Sequence, residues 1–289
     1  PREFLKVYGS RTGVIIDEIQ HVPQLLSYIQ THVDTYYKPG FFILIGSQNF
    51  LVNEAITQTL AGRISLYTLL PFSLQELEEA NLLPEASITA MLNGLYPPIY
   101  SRSLGLENWY SDYISTYLER DVRTLATVSD LLLFKDFLQL CAGRNGQIVD
   151  LISLGNDCGI DQATVTSWLS VLQASYIIFL LKPYHNNFNK RIIKSPKLYF
   201  YDTGLVCSLL GIQSEEQLQP HYARGSLFES MIITDQFKNC YNANGNPRIY
   251  FWRDAEGHEV DCIVEHGTVC YPIEIKLGQT IASNFFDNL

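Results

Sequence analysis

Early in the chain, short apolar runs flank a stretch of helical spacing. Residues 13–16 are apolar and end in Asp17-Glu18, and residues 41–45 are apolar and end in Gly46-Ser47-Gln48. Between them Val22, Leu25, Leu26, Ile29 and Val33 recur at helical intervals behind Pro23, a residue suited to a first turn. Two wholly apolar strands around one helix predict a buried parallel sheet. The pattern predicts a helix over 53–60 and a further strand over 64–70. Pro71-Phe72-Ser73 should then open a helix running to Ala80. Pro84, Pro97 and Pro98 break the pattern, which places a first domain at 1–100.

The middle of the chain, 101–212, reads as helical. Residues 109–125 and 130–142 have helical period, and 149–158 and 162–175 are two shorter helices separated by Gly159-Ile160-Asp161, with Asp161 as N-cap. Strands at 176–182 and 197–201 bracket a basic loop, 186–194. Helix, helix, turn, helix and a two-stranded wing predict a winged helix-turn-helix. Lys190, Arg191 and Lys194 in the wing are candidates to meet DNA phosphates. The helix at 162–175 carries no arginine or lysine, which is a poor endowment for reading bases. A third domain, 213–289, holds a helix at 225–241 and strands at 248–253, 259–265 and 269–276.

Composition narrows the function classes. The chain has 289 residues, 47% of them hydrophobic, enough to bury a large core. A net charge of −10 argues against whole-surface attraction to nucleic acid and leaves only local basic patches. The six cysteines are scattered without a CxxC pair, as in reduced thiols of a cytoplasmic protein. No apolar run approaches the roughly 18–20 residues that span a membrane, and no signal peptide is visible. The start at Pro1 and the stop at Leu289, soon after a strand, suggest a fragment whose last domain is incomplete.

Two constellations carry chemistry. In the first, a strand delivers two carboxylates to the carboxyl edge of a parallel sheet, where open α/β folds bind ligands. Nucleotide hydrolysis needs one carboxylate for the magnesium shell, a role that suits Asp17, and one to polarise water, which suits Glu18. The alternative is that the acidic pair only opens a helix. Gln48 is placed to touch the γ-phosphate or the water, and Arg63 is a candidate for phosphate or a neighbouring subunit. No GxxxxGK[ST] loop occurs in the sequence, so these residues should bind nucleotide weakly by themselves.

The second constellation follows from strand geometry. Glu274 and Lys276 are two apart on one strand and share a face. If Gly267-Thr268 is a two-residue hairpin turn, His266 pairs with Val269, and counting back puts Asp261 opposite Glu274. Side chains so paired lie roughly 4.5–5.5 Å apart at Cβ, and two carboxylates there repel unless a cation intervenes. Glu229, on the helix before, could complete the site. The plainer alternative is an amphipathic hairpin in which Lys276 neutralises Glu274. His258, Cys262, His266 and Cys270 recur every four residues, but the turn breaks the series and zinc is not expected.

The first constellation resembles the Walker B and sensor strands of AAA-type ATPases, and the second resembles the PD-(D/E)XK nuclease fold. That second resemblance implies that Asp261 and Glu274 hold magnesium, Lys276 positions water or stabilises charge, and Glu229 is the helix carboxylate. In order along the chain, Ile15-Ile16-Asp17-Glu18-Ile19-Gln20, Ile45-Gly46-Ser47-Gln48, Leu60-Ala61-Gly62-Arg63 and Tyr117-Leu118-Glu119-Arg120-Asp121-Val122 are followed by Tyr199-Phe200-Tyr201-Asp202-Thr203-Gly204-Leu205, Gly225-Ser226-Leu227-Phe228-Glu229, Glu259-Val260-Asp261 and Ile273-Glu274-Ile275-Lys276. The whole resembles bacterial and archaeal AAA-type ATPases of the AAA_14 type with a carboxyl-terminal DUF4143 region. The resemblance implies an α/β chain in three parts: a truncated P-loop sheet domain, a winged helix and a nuclease-like module. It implies ATP and Mg2+ as cofactors of the intact protein, with nucleotide state coupled to the later modules. A metal-dependent DNA endonuclease and a non-catalytic interaction or scaffold module are the alternatives. DNA, a protein partner and a second copy of the chain are candidate partners.

Overall fold

The computed structural model describes residues 3, 7–8, 12–46, 59–101, 106–118, 130–185, 195–254 and 256–278. It divides into two compact units, Pro1–Tyr67 and Thr68–Leu289.

In the first unit, β1 (Val14–Ile16) and β2 (Phe42–Leu44) pair in parallel, Val14 beside Phe42 and Ile16 beside Leu44. Helix α1 (Leu25–Tyr36) connects them, as a parallel pair requires. It buries Leu25, Leu26 and Ile29 with Ile19 and Leu60, against the partly buried Ile16, Phe42 and Leu44. The helix starts later than its apolar spacing implied because residues Ile19–His21 form a tighter 3-10 turn. Of the helix expected over 53–60, only residues 59 and 60 are described.

The strand expected over 64–70 is not formed. Leu66 and Tyr67 are exposed, and Leu69 is 90% exposed. A run of apolar residues makes a strand only where a neighbour accepts its backbone and covers one face. This run instead spans the division between the two units.

The second unit begins with α2 (Leu74–Glu79), held by a capping box between Ser73 and Glu76. Short helices α3 (Ser87–Asn93), α4 (Pro97–Ser101) and α5 (Leu106–Asp112) follow, the last running into a π-helical turn at Tyr113–Leu118. Helices α6 (Leu131–Gly143), α7 (Leu151–Cys158) and α8 (Gln162–Ala174) each start from an aspartate, and Asp161 accepts the Thr164 N–H at 2.7 Å as expected. After β3 (Ile178–Pro183) and β4 (Lys197–Phe200) come α9 (Thr203–Leu209), α10 (Glu215–Leu218) and α11 (Arg224–Asn242). The unit ends in β5 (Ile249–Arg253), β6 (Glu259–His266) and β7 (Val269–Ile273).

These five strands form one sheet in the order β4-β3-β5-β6-β7. The two strands read from the sequence as a wing do pair antiparallel, but β3 also lies parallel to β5, with Lys182 beside Tyr250. They are therefore the flank of the carboxyl-terminal sheet. Phe179, Leu181, Tyr199, Ile249, Phe251 and Cys262 of the sheet pack with Ile233 of α11. The helices share a separate core around Phe137, Leu138, Leu172 and Leu205.

A buried polar knot ties α3, α5 and α9 together. Asp202 caps α9 and accepts hydrogen bonds from the Leu95 N–H at 2.6 Å, the Tyr110 hydroxyl at 2.7 Å and the Leu205 N–H at 2.8 Å. Gly204 is required there, since a Cβ would collide with the Tyr110 hydroxyl.

Candidate functional site

The hairpin β6–β7 has the register counted from its turn: His266 pairs with Val269 and Cys262 with Ile273. The ladder then stops one pair short of Asp261 and Glu274. The expected strand through residue 276 ends at Ile273, because the Asp261 carboxylate, not a backbone carbonyl, takes the Ile275 N–H at 2.8 Å. On its other side β6 carries a bulge: Tyr250 pairs with Ile263 but Trp252 with Val260, so Asp261 and Cys262 together oppose Phe251. A bulge of this kind re-aims side chains, and here it sits at the acidic residue of the site.

Around that bulge four carboxylates and two lysines assemble, with Arg253 Nη1 3.8 Å from the second oxygen of Glu259. Lys276 Nζ lies 2.5 Å from Glu274 Oε1 and 3.7 Å from Asp261 Oδ2. Lys197 Nζ, on β4, lies 3.3 Å from Glu229 Oε1 of α11 and bonds Glu259 at the start of β6. The Tyr199 hydroxyl, two residues along β4, donates to the same Glu229 oxygen. Burial pushes the Glu229 carboxyl above its ordinary value, the Asp261 charge adds to this, and Lys197 and Tyr199 offset it only in part. Burial pulls the Lys197 ammonium down, but Glu229 and Glu259 outweigh it and the net direction is up. Lys276 behaves alike: burial lowers it, and the hydrogen bond to Glu274 with the charges of Asp261, Glu274 and Glu229 raises it overall. Both lysines are therefore cations at neutral pH.

One atom of the cluster is left over. Glu274 Oε2 is buried, with no hydrogen-bond partner among the described residues, on a side chain only 9% exposed. A buried carboxylate oxygen without a donor costs about 1–3 kcal/mol, more for a charge. The residues fit a hard divalent cation, since oxygen donors suit Mg2+ or Mn2+ and the orphaned oxygen wants a positive partner. Asp261 and Glu274 would hold it. Cys262 lies beneath, its thiol pushed up to about 12 by burial and by Asp261 and Glu229. The four-residue series of histidines and cysteines does not converge: Cys262 is in the core, Cys270 is exposed, and His258 instead sits with Asp254 and Glu256, their ligand atoms within 4.8 Å of one another.

The first constellation is differently built. Asp17 and Glu18 follow β1 directly and are exposed at the carboxyl edge of the parallel pair. Asp17 Oδ1 accepts the Glu18 N–H at 2.9 Å, and Gln20 bonds the Glu18 carboxylate. Glu18 adopts a left-handed backbone, φ 51° and ψ 43°, which is uncommon outside glycine. Arg63 is engaged by Asp34, Nε to Oδ1 at 2.5 Å and a second bond at 3.1 Å. Gln48, Lys190, Arg191 and Lys194 lie outside the described residues.

Sequence reasoning brought Glu229, Asp261, Glu274 and Lys276 into one site but missed Lys197, Tyr199 as a site residue, Glu259 and the bulge. The available signal was a lysine beginning a strand that is otherwise Leu-Tyr-Phe. Its i, i+2 partner is a tyrosine, so a charge and a hydroxyl share the buried face.

Comparison with known proteins gives the class. Residues 1–78 match the family described as AAA domain, 224–289 match Domain of unknown function (DUF4143), and 84–216 match Domain of unknown function (DUF8612). Stretches that match an AAA domain and a DUF4143 region thus follow one another in the order the sequence resemblance implied. Among particular relatives, Uncharacterized protein Rv2008c of Mycobacterium tuberculosis and Uncharacterized protein Mb2031c of Mycobacterium bovis are each 28% identical over 278 residues. The alignment covers 96% of this chain and 61% of each relative, so the chain spans about three fifths of their length. No solved structure matches it. Lys197 and Tyr199 fall in the 84–216 match and the other site residues in the 224–289 match, so the site is built from both. Among the described residues no helix is long and apolar enough to cross a membrane.

Proposed function

We propose that the chain belongs to a nucleotide-hydrolysing AAA-type protein in which Asp17 orders the magnesium shell of ATP and Glu18 polarises the attacking water. The observation that carries this reading is the parallel β1–β2 pair, which ends in an adjacent Asp17 and Glu18 within a stretch that matches an AAA domain. Glu18 takes a left-handed backbone directly after the strand, a strained conformation of the kind that collects at functional sites. Magnesium supplies charge neutralisation on the phosphates when bound; the protein's part is to hold its water shell and to orient the nucleophile. Gln48 reads the γ-phosphate, and Arg63 exchanges Asp34 for phosphate or for a neighbouring subunit. In this reading α6, α7 and α8 are the helices of a winged helix that transmits nucleotide state, its wing, β3 and β4, being built into the flank of the carboxyl-terminal sheet, with Lys190, Arg191 and Lys194 meeting DNA. In the full-length protein, Glu18→Gln should lower ATP turnover by about 100-fold or more while ATP still binds. Undiminished turnover in that variant would sink the assignment.

A second reading is favoured by the orphaned Glu274 oxygen: a metal-dependent, nuclease-like centre at Glu229, Asp261, Glu274 and Lys276. Here Asp261 and Glu274 hold the cation, while Lys276 orients water and offsets charge developing on a phosphate. Magnesium-dependent nicking of plasmid DNA that disappears in Asp261→Asn supports it, and nicking that persists in that variant removes it.

A further inference from the structure

We infer that Lys197 is a built-in cation standing in for a second metal ion, so that the carboxyl-terminal centre takes a single divalent cation, on Asp261 and Glu274. The inference rests on the second reading above and goes past it, because Lys197 comes from β4, outside the hairpin and helix that carry the other groups.

The geometry divides the carboxylates into two pairs. Glu229 and Glu259 are bridged by Lys197, whose Nζ also lies 5.4 Å from the centre of the Phe251 ring. Asp261 and Glu274 share Lys276. The two lysines differ in what surrounds them. Lys276 is 42% exposed and can swing into solvent, whereas Lys197 is buried, on a side chain 6% exposed, and cannot leave without the sheet moving. A site that binds two metals places carboxylates so that each ion touches two or more of them. Lys197 Nζ occupies just such a bridging place between Glu229 and Glu259.

Saturation points the same way. Glu229 Oε1 already accepts from both Lys197 and Tyr199, and Asp261 Oδ2 accepts the Ile275 N–H. The orphaned acceptor of the cluster is Glu274 Oε2, on the other pair. Formal charge agrees: four carboxylates against two ammonium groups and the Arg253 guanidinium, whose Nη1 lies 3.8 Å from Glu259 Oε2, leave a deficit of one charge, which a single divalent ion covers and a second would overshoot by three. A buried uncompensated charge is costly enough that this balance is a constraint on the site.

The test is manganese binding, followed by the paramagnetic signal of free Mn2+, in the protein and its variants, counting only ions lost in Asp261→Asn/Glu274→Gln or in Glu229→Gln. The unaltered protein should bind one such ion and Lys197→Arg, which keeps the charge, also one. Lys197→Gln should bind two, the second lost on adding Glu229→Gln. If Lys197→Gln is unfolded without metal, a cooperative melt should return on Mn2+ addition. One ion of unchanged affinity in folded Lys197→Gln, or failure of Mn2+ to restore its melt, overturns the role of Lys197. Two ions in the unaltered protein overturn it too while leaving the metal centre standing. No ion lost in the Asp261/Glu274 variant overturns the metal reading itself.

Discussion

The acidic pair at Asp17–Glu18 and the acidic cluster at Asp261–Glu274 use the same side chains in opposite surroundings. The first stands in solvent at the end of a three-residue strand, and its ties include a neighbouring backbone N–H and Gln20. The second is packed between a helix and a sheet, with lysines drawn from two distant segments of the chain. Exposed carboxylates are already solvated, so they acquire a structural role only when a ligand arrives. Buried ones must be compensated during folding, so their partners are part of the fold. The difference implies that damage to the second cluster registers as instability, and damage to the first registers as lost ligand chemistry.

The hardest blow to the contrast would come from Lys197. Lys197→Met leaves Glu229 half-buried without its cation and Glu259 with only the more distant Arg253, and removal of one partner from a buried ion pair costs about 3–5 kcal/mol. Urea denaturation should show a loss in that range. A loss under about 1 kcal/mol would mean that the cluster is as well solvated as Asp17 and Glu18.

Lys238 of α11 sharpens the comparison within the buried class. Its ammonium is buried and has no hydrogen-bond partner among the described residues, and burial lowers it to about 8 despite the charges of Asp202, Asp235 and Glu76. A lysine whose folded value is depressed binds its proton more weakly in the folded state. Stability is therefore reduced below the folded value and recovers as pH rises from about 8 towards the ordinary 10.5. Between pH 8 and pH 10 the gain from this group is about 2 kcal/mol. Lys197, whose value is raised, contributes nothing of that sign in this window. Comparing denaturation of the protein with Lys238→Met at several pH values isolates the effect: the difference should shrink steadily over that interval. A constant difference would show that Lys238 is solvated.

Much of this was legible from periodicity. The hairpin register followed from the turn at Gly267-Thr268, because a two-residue loop leaves one alignment, and Asp261, Glu274 and Lys276 could be placed together by counting. What counting could not reach was set by contacts far apart in sequence. The bulge opposite Phe251 inserts a residue without a signature in the local pattern. Lys197 reads as an ordinary charged residue at a strand end until β3 is seen to lie along β5. The same blindness produced the false strand at 64–70, where apolar character was visible but the lack of a pairing strand among the described residues was not. At the first site Asp17 and Glu18 were legible as a pair, yet the left-handed backbone of Glu18 was not, since nothing in Ile-Asp-Glu-Ile demands it.

That backbone gives the smallest and most telling effect. A non-glycine residue in the left-handed region carries a penalty of about 1 kcal/mol, which glycine does not. Glu18→Gly removes that penalty, gives up the exposed side-chain interactions of Glu18, the bond from Gln20 among them, and adds backbone freedom to the unfolded chain. Exposed interactions of this kind are worth little, so the net change should be a stabilisation of about 0.5 kcal/mol, read as a small rise in urea midpoint. The same substitution deletes the proposed water-polarising group. A variant that is slightly more stable and unable to turn over ATP in the full-length protein would show that the strain at Glu18 is retained for the reaction. A variant that is destabilised instead would show that Glu18 holds the strand end together, and the contrast with the buried cluster would fail at its exposed side.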